Sequence, residues 1–264
     1  MQSLRPTTTT TTRRPPALSR AAVGSLRATT RPLPPRAAAE PAAADVPTSS
    51  SSSSSKLPDA ELAALISSLK RSARQPGAAG SLPGPAVVDA MVALEKQKLP
   101  ATEWRQQAAT PGARWRLVFT AAEKVATAAS KRQPHGPATT FPLAACQKFD
   151  DAAGVFTNGV FLGGGLASLT FAGPFDVSGR LLQFDVVRMS GNLGPWSFSF
   201  PIKKDAPEKL DAYSPSDRKK LPFFSYIFAD GEMVVARGRS GGLAVWLRAD
   251  EGWCASTGVT RVYG

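Results

Sequence analysis

The sequence predicts a mainly β fold, an antiparallel up-and-down β-barrel of about eight strands preceded by one or two helices. Three observations carry that expectation. Between Arg114 and Arg248, short apolar segments recur, separated by turns rich in Gly, Asp and Asn. The turns at Asp230-Gly231-Glu232 and Ser240-Gly241-Gly242 are short enough to join antiparallel neighbours. Most connections are local, and no repeat of fixed period is present, which favours a closed meander over a Greek-key sandwich.

Charge divides the chain before the first helix. The 264 residues carry a formal net charge of +12, but residues 1–55 alone hold seven arginines (Arg5, Arg13, Arg14, Arg20, Arg27, Arg31, Arg36) against Glu40 and Asp45. This basic, hydroxyl-rich opening lacks a continuous apolar run, so it has the composition of an organellar transit peptide rather than of a secretory signal. A low-complexity tail that stays attached is the rival reading. The expected organisation is a transit peptide and disordered linker over 1–55, a helical segment over 56–110 and the barrel over 111–264.

The first helix is expected at 59–74, started by Pro58-Asp59, with Leu62, Leu65, Ile66 and Leu69 on one stripe and Lys70, Arg71 and Arg74 near its C-terminus. A Gly- and Pro-rich linker over 75–84 precedes a second helix from Pro85, where Val88, Met91 and Val92 follow helical spacing and Pro100 stops the run. Strands are expected at 114–121, 139–149, 155–162, 167–171, 180–189, 196–202, 223–228, 233–237 and 243–248. The uncharged stretch 152–175 has the length of a membrane span, but Gly154, Asn158-Gly159, Gly163-Gly164-Gly165 and Gly173-Pro174 interrupt it, so no transmembrane segment is expected.

Little in the chain points to catalysis. His135 is the single histidine, in the loop Gln133-Pro134-His135-Gly136-Pro137, and a Ser-His-Asp or Cys-His arrangement would have to use it. Two cysteines, Cys146 and Cys254, with one histidine cannot supply the four ligands of a structural zinc site. No catalytic residue, metal or cofactor is therefore expected. The two cysteines read as independent thiols, with a redox-formed disulfide as the rival. Gly163–Gly165 and the run 237–242 do not lie between a strand and a helix, as a phosphate loop requires. Basic runs at Lys131-Arg132, Lys203-Lys204 and Arg218-Lys219-Lys220 read as solvated loops, or as attraction to anionic lipid head groups. They lack stacking aromatics, so nucleic acid is not an expected partner.

Several segments together resemble the plastid lipid-associated proteins (fibrillins). They are Val92-Ala93-Leu94-Glu95 before Pro100, Trp115-Arg116-Leu117-Val118-Phe119-Thr120, the hairpin Phe149 to Phe161 with Asn158-Gly159-Val160, and the closing segment Asp230 to Trp246 with Arg237-Gly238. The match is distributed over about residues 85–250. The resemblance implies a lipocalin-like barrel, a chloroplast location at plastoglobules, thylakoid surface or stroma, and a lipophilic small-molecule partner such as a prenylquinone, carotenoid or fatty-acid derivative. It also implies a plug in which Arg237 covers Trp115 by a cation–π contact. Expected ligand-contact residues are the large apolar side chains Phe119, Phe161, Trp196, Phe198, Phe200 and Trp246, of which Trp196, Phe198 and Phe200 share one strand face. The alternatives are a filled barrel that coats lipid through basic loops and a rim at Leu221-Pro222-Phe223-Phe224, and an enzyme on the same scaffold using Glu123, Asp150 or Asp185.

Overall fold

A computed structural model describes residues 56–100 and 103–264; the expectation for residues 1–55 lies outside them. The apolar stripe of the first helix emerges as α1 (Asp59–Arg74), with Asp59 and Glu61 in its first turn and Arg71 and Arg74 in its last, as the helix dipole favours. α2 (Gly84–Gln97) has a proline in its first turn and ends at Lys98, which turns left-handed at φ 51°. The chain continues through α3 (Trp104–Ala108), β1 (Arg114–Ala121), α4 (Glu123–Ser130), β2 (Thr139–Thr140), β3 (Ala144–Asp150), β4 (Val155–Leu162), β5 (Ala167–Ser178), β6 (Leu181–Phe184), β7 (Arg188–Leu193) and β8 (Trp196–Pro201). It closes with α5 (Pro215–Arg218), β9 (Phe223–Ala229), β10 (Met233–Gly238), β11 (Leu243–Arg248), α6 (Glu251–Thr257) and α7 (Val259–Tyr263).

Eight of these strands close on themselves in the order β4-β3-β1-β11-β10-β9-β6-β5, and β5 returns to β4. Every pairing is antiparallel. Apart from β2, β7 and β8, each strand lies beside its sequence neighbours, so the barrel is the expected up-and-down meander. One apolar cluster draws side chains from all eight strands and therefore marks the interior. Its members include Trp115 and Leu117 of β1, Phe149 of β3, Phe156 of β4, Phe175 of β5, Phe184 of β6, Tyr226 of β9, Val234 of β10 and Trp246 of β11.

Two further clusters lie on the outer wall. The helices α1 and α2 cover β9, β10 and β11 through Leu69, Met91, Val92 and Leu94 against Ile227, Met233, Val235 and Val245, and α4 joins the same cluster through Ala126 and Ala129. The C-terminal α6 and α7 cover β3 and β4 through Cys254, Val259 and Tyr263 against Cys146 and Phe161.

Besides the helices α3, α4, α6 and α7, which the sequence expectation does not include, three of the expected strands depart from it. The strand expected over 139–149 is interrupted around Pro142, which has no N–H for a ladder, and yields β2 and β3. The strand expected over 180–189 breaks at Asp185, whose carboxylate accepts from its neighbour, the Val186 N–H, at 2.8 Å. The chain there leaves the barrel. β5, longer than expected, pairs with β6 through Phe175–Ser178 but with β7 through Ala167–Ala172. The hairpin β7–β8 thus extends the sheet sideways from the half of β5 that β6 does not use.

Gly173 stands at this fork. A Cβ there would lie 2.1 Å from the Asp185 carbonyl oxygen. The close approach is fixed on both sides, since Asp185 N–H donates to Pro174 O at 3.0 Å and Val187 N–H to Ala172 O at 3.0 Å. Backbone, not a flexible side chain, occupies the space. Gly173→Ala is therefore expected to destabilise by ~3 kcal/mol, the upper part of the overpacking range, read as a lowered urea midpoint. A loss below about 0.5 kcal/mol would mean the fork yields freely.

Candidate functional site

The barrel interior is packed with aromatic rings. Phe149 meets Phe156 and Phe175 at centroid distances of 5.5 and 5.2 Å, and Phe156 meets Phe184 at 4.6 Å. Phe224 stands edge-on to Trp246 at 5.2 Å. One end is stoppered by α3. Trp104 lies 3.7 Å from Tyr226 and 5.9 Å from Phe149, ring to ring. Trp115 fastens this stopper, as its indole N–H donates to Ala108 O at 3.0 Å. Burial pushes the Tyr226 phenol well above its ordinary range. Two polar groups in this interior have no partner among the described residues: the indole N–H groups of Trp104 and Trp246, which are 3% and 4% exposed.

The Trp115–Arg237 plug is not formed. Arg237 pairs with Leu243, which pairs with Ala121, at the far end of β1 from Trp115. Six residues at about 3.3 Å each separate the two levels by ~20 Å. Arg237 instead clamps Glu95 of α2, with Nε and Nη2 donating to the two carboxylate oxygens at 2.7 and 2.6 Å. The hydrogen bonds to Glu95 hold the Arg237 guanidinium further above its ordinary range, against partial burial. Among the described residues the cation–π contact is Arg116 over Trp253, at 5.9 Å.

Of the six expected ligand-contact residues, Trp246 faces the interior. Phe119 is buried on the outer wall beneath the helices, because a bulge between Leu117 and Phe119 switches the face of β1. Phe161 also faces outward, against Tyr263 at 5.4 Å, on the same side of β4 as Gly159. The other three are not in the barrel. Trp196, Phe198 and Phe200 lie on β8, exposed by 73%, 48% and 44%.

Those three residues belong to an outlying sheet with two unlike faces. Strand register places Leu162, Ala167, Leu193 and Trp196 in one row, Val160, Leu169, Gly191 and Phe198 in the next, and Asn158, Phe171, Met189 and Phe200 in a third. The opposite face carries Ser168, Thr170, Ser190, Asn192, Ser197 and Ser199, several bonded to one another: Asn192 donates to Ser168 at 3.0 Å, and the Ser190 and Ser199 hydroxyls are 2.8 Å apart. Gly191 leaves room for the Phe198 ring, whose nearest carbon would be 2.4 Å from an added Cβ. Residues 155–175 and 186–202 contain one charged side chain, Arg188. The apolar face is continuous with the inner wall of the barrel through Asn158 and Phe171, yet nothing among the described residues covers it.

Asp185 anchors the hairpin at its base. This buried carboxylate accepts from Lys203 Nζ at 2.6 and 2.7 Å and from the Tyr213 hydroxyl at 2.7 Å. Burial and then the carboxylate push the phenol of Tyr213 upward. Lys203, Arg218 and Lys220 are thus committed to Asp185, Asp176 and Asp217, while Lys204 and Lys219 have no ion-pair partner among the described residues. The rim expected at Leu221-Pro222-Phe223-Phe224 is not an exposed apolar surface, because Leu221 is buried and Phe224 packs into the interior.

The remaining reactive groups sit apart. His135 contacts Gly136 O through Nδ1 at 2.9 Å and Asp89 through Nε2 at 3.0 Å, and both contacts raise its pKa. Cys146 and Cys254 are buried free thiols in one cluster. Burial, and then Cys254, push the Cys146 thiol up, and burial raises Cys254 too, so neither is poised as a thiolate. Glu123, Asp150 and Asp185 lie on different elements, with Asp185 spent on the hairpin base.

Neither the known family models nor the curated proteins contain a match to this chain. Similar solved structures include a lipocalin-like protein from Bacteroides uniformis ATCC 8492, at 14% identity and a TM-score of 0.31, covering 54% of this chain and 99% of that one. The barrel assignment rests on the strand pairing itself.

Proposed function

We propose that this chain is a non-catalytic protein that binds hydrophobic molecules at lipid surfaces, of the plastid lipid-associated kind its sequence resembles, in the chloroplast. One observation carries the reading: a sheet almost free of charge, with Leu162, Leu193, Trp196, Phe198 and Phe200 all exposed on one face. An isolated exposed apolar residue needs no explanation, but a contiguous patch marks a membrane or partner surface. Lys204, exposed just past the hairpin, suits anionic head groups and contributes ~1 kcal/mol near such a surface.

A second reading is favoured by the unpartnered indoles of Trp104 and Trp246. A lipophile with a carbonyl acceptor, such as a prenylquinone or fatty-acid derivative, would satisfy these donors inside the barrel, where an unmade hydrogen bond costs ~1–3 kcal/mol. A pure hydrocarbon would not.

Flotation of the full-length chain with phosphatidylcholine vesicles, with and without phosphatidylglycerol, tests the first reading. The expected result is binding to both, strengthened by the anionic lipid and weakened in part by salt. Failure to float with either removes it. The same preparation, exposed to plastid lipid extract and washed, is analysed by mass spectrometry. One carbonyl-bearing lipophile per chain supports the interior site, and a mixture mirroring the bulk lipid supports the outer face alone.

A further inference from the structure

The segment Pro195-Trp196-Ser197-Phe198-Ser199-Phe200-Pro201 reads nearly the same in both directions, and it lies at a sheet edge that no other described strand pairs with. Gly194, at φ 58°, and Pro195 form the two-residue turn that closes Leu193 against Trp196. Bonded and non-bonded pairs alternate from such a turn, so Leu193–Trp196, Gly191–Phe198 and Met189–Phe200 are the bonded pairs of the hairpin. The N–H and C=O of Ser197 and Ser199 therefore point away from β7, toward the open edge. Pro195 and Pro201 take the next outward positions and have no N–H to offer.

We propose that β8 is a homodimerisation edge, pairing antiparallel with β8 of a second copy about a twofold axis at Phe198. In this register Ser197 faces the partner's Ser199 and the reverse, so all four outward serine N–H and C=O groups of each copy find a partner. Phe198 faces the partner's Phe198, and Trp196 faces the partner's Phe200. Pro195 falls opposite the partner's Pro201, so the groups that cannot donate meet each other at the ends. A shift by two residues in either direction sets a serine opposite a proline and leaves a serine carbonyl without a donor. The segment 189–202 has no charged side chain, so no like charges face one another across the paired strands. The prolines also confine the pairing to one short stretch, which gives a closed, isologous dimer rather than an extending sheet.

Directly opposed residues in a sheet share a face. The pairing therefore joins two aromatic rows on one side and two serine rows on the other. It also removes the unpaired backbone groups that an edge would otherwise bring to an apolar surface. A contact of this length is smaller than a standard interface, so association is concentration-dependent.

The full-length chain tests this without lipid, so its failure would leave the lipid reading untouched. Sedimentation velocity is expected to show the mass of the wild type rising toward twice the monomer with concentration. Ser199→Pro, which deletes one edge N–H, is expected to stay monomeric with unchanged circular dichroism. The hairpin tolerates that change because Ser199 sits in a non-bonded pair with Ser190. Ser199→Ala loses the same hydroxyl contact but keeps the amide, and is expected to dimerise like the wild type. Under mild oxidation Phe198→Cys should form an interchain disulfide, while Leu166→Cys, also exposed but off the axis, should not; Cys146 and Cys254 are buried and do not compete. A wild type that is monomeric throughout with no Phe198→Cys capture overturns the proposal. Dimerisation of Ser199→Pro equal to that of the wild type, or equal capture of both cysteines, does so too.

Discussion

Trp115→Ala is expected to cost ~3–5 kcal/mol of folding stability, the range for removing a large aromatic side chain from a packed core. Trp115 is 1% exposed and holds two parts of the molecule at once. Its ring lies in the interior cluster with Trp104, Phe149 and Phe156, and its N–H is the buried bond that ties Ala108 of α3 to the first strand. Alanine leaves a cavity beneath the stopper and a carbonyl with no donor. Trp115→Phe retains most of the ring, so its cost is expected to be about 1–2 kcal/mol, chiefly the lost hydrogen bond. Urea unfolding at constant m-value measures both. A loss under about 1.5 kcal/mol for alanine would show that α3 does not seal the barrel. A double-mutant cycle adds a sharper reading. Trp115 and Arg237 are far apart and share no partner, so their effects should add within ~0.5 kcal/mol. Arg237 and Glu95 should couple, by up to ~1 kcal/mol because both side chains remain partly exposed.

The sequence made the strands legible and their faces less so. α1, β1, β4 and β11 begin and end where the apolar spacing placed them, since each is bounded by a proline, a glycine or a charged turn. Faces depend on events that spacing does not show. One bulge at Val118 turns Phe119 from the barrel interior to its outer wall. Trp196, Phe198 and Phe200 do share a face, but whether that face closes a barrel depends on which strand pairs with β5, and the contact is decided by Asp185 and the crossing at Gly173. The helices α4, α6 and α7 had local signals that a strand-centred reading passes over. Asp250 caps α6 by accepting from Trp253 N–H, and Gly258, at φ 82°, ends it. The alanines of Glu123–Ser130 favour helix. Pairing Arg237 with Trp115 failed for a different reason, because the residue types were right for a plug but their levels along the barrel are not.

Replacing Trp196, Phe198 and Phe200 together by serine is expected to weaken partition onto phosphatidylcholine vesicles by more than ~100-fold while leaving the melting temperature nearly unchanged. The two halves of this expectation come from one fact: these rings are exposed in the folded chain, so folding gains little from them and transfer to lipid gains much. Aromatic side chains contribute on the order of 100 Å² of further burial each when about half exposed. Three of them at ~25 cal/mol per Å² amount to several kcal/mol, and ~2.7 kcal/mol already gives a factor of 100. Serine suits an exposed edge strand, and the polar face of β8 already uses it at Ser197 and Ser199. The interior should not notice the change, since Trp246 and the rings around it belong to a separate cluster. If the triple variant floats like the wild type, the outlying sheet is not the lipid-facing surface. If it instead loses a carbonyl lipophile from the interior while still floating, the hairpin acts as the rim of the barrel rather than as its foot.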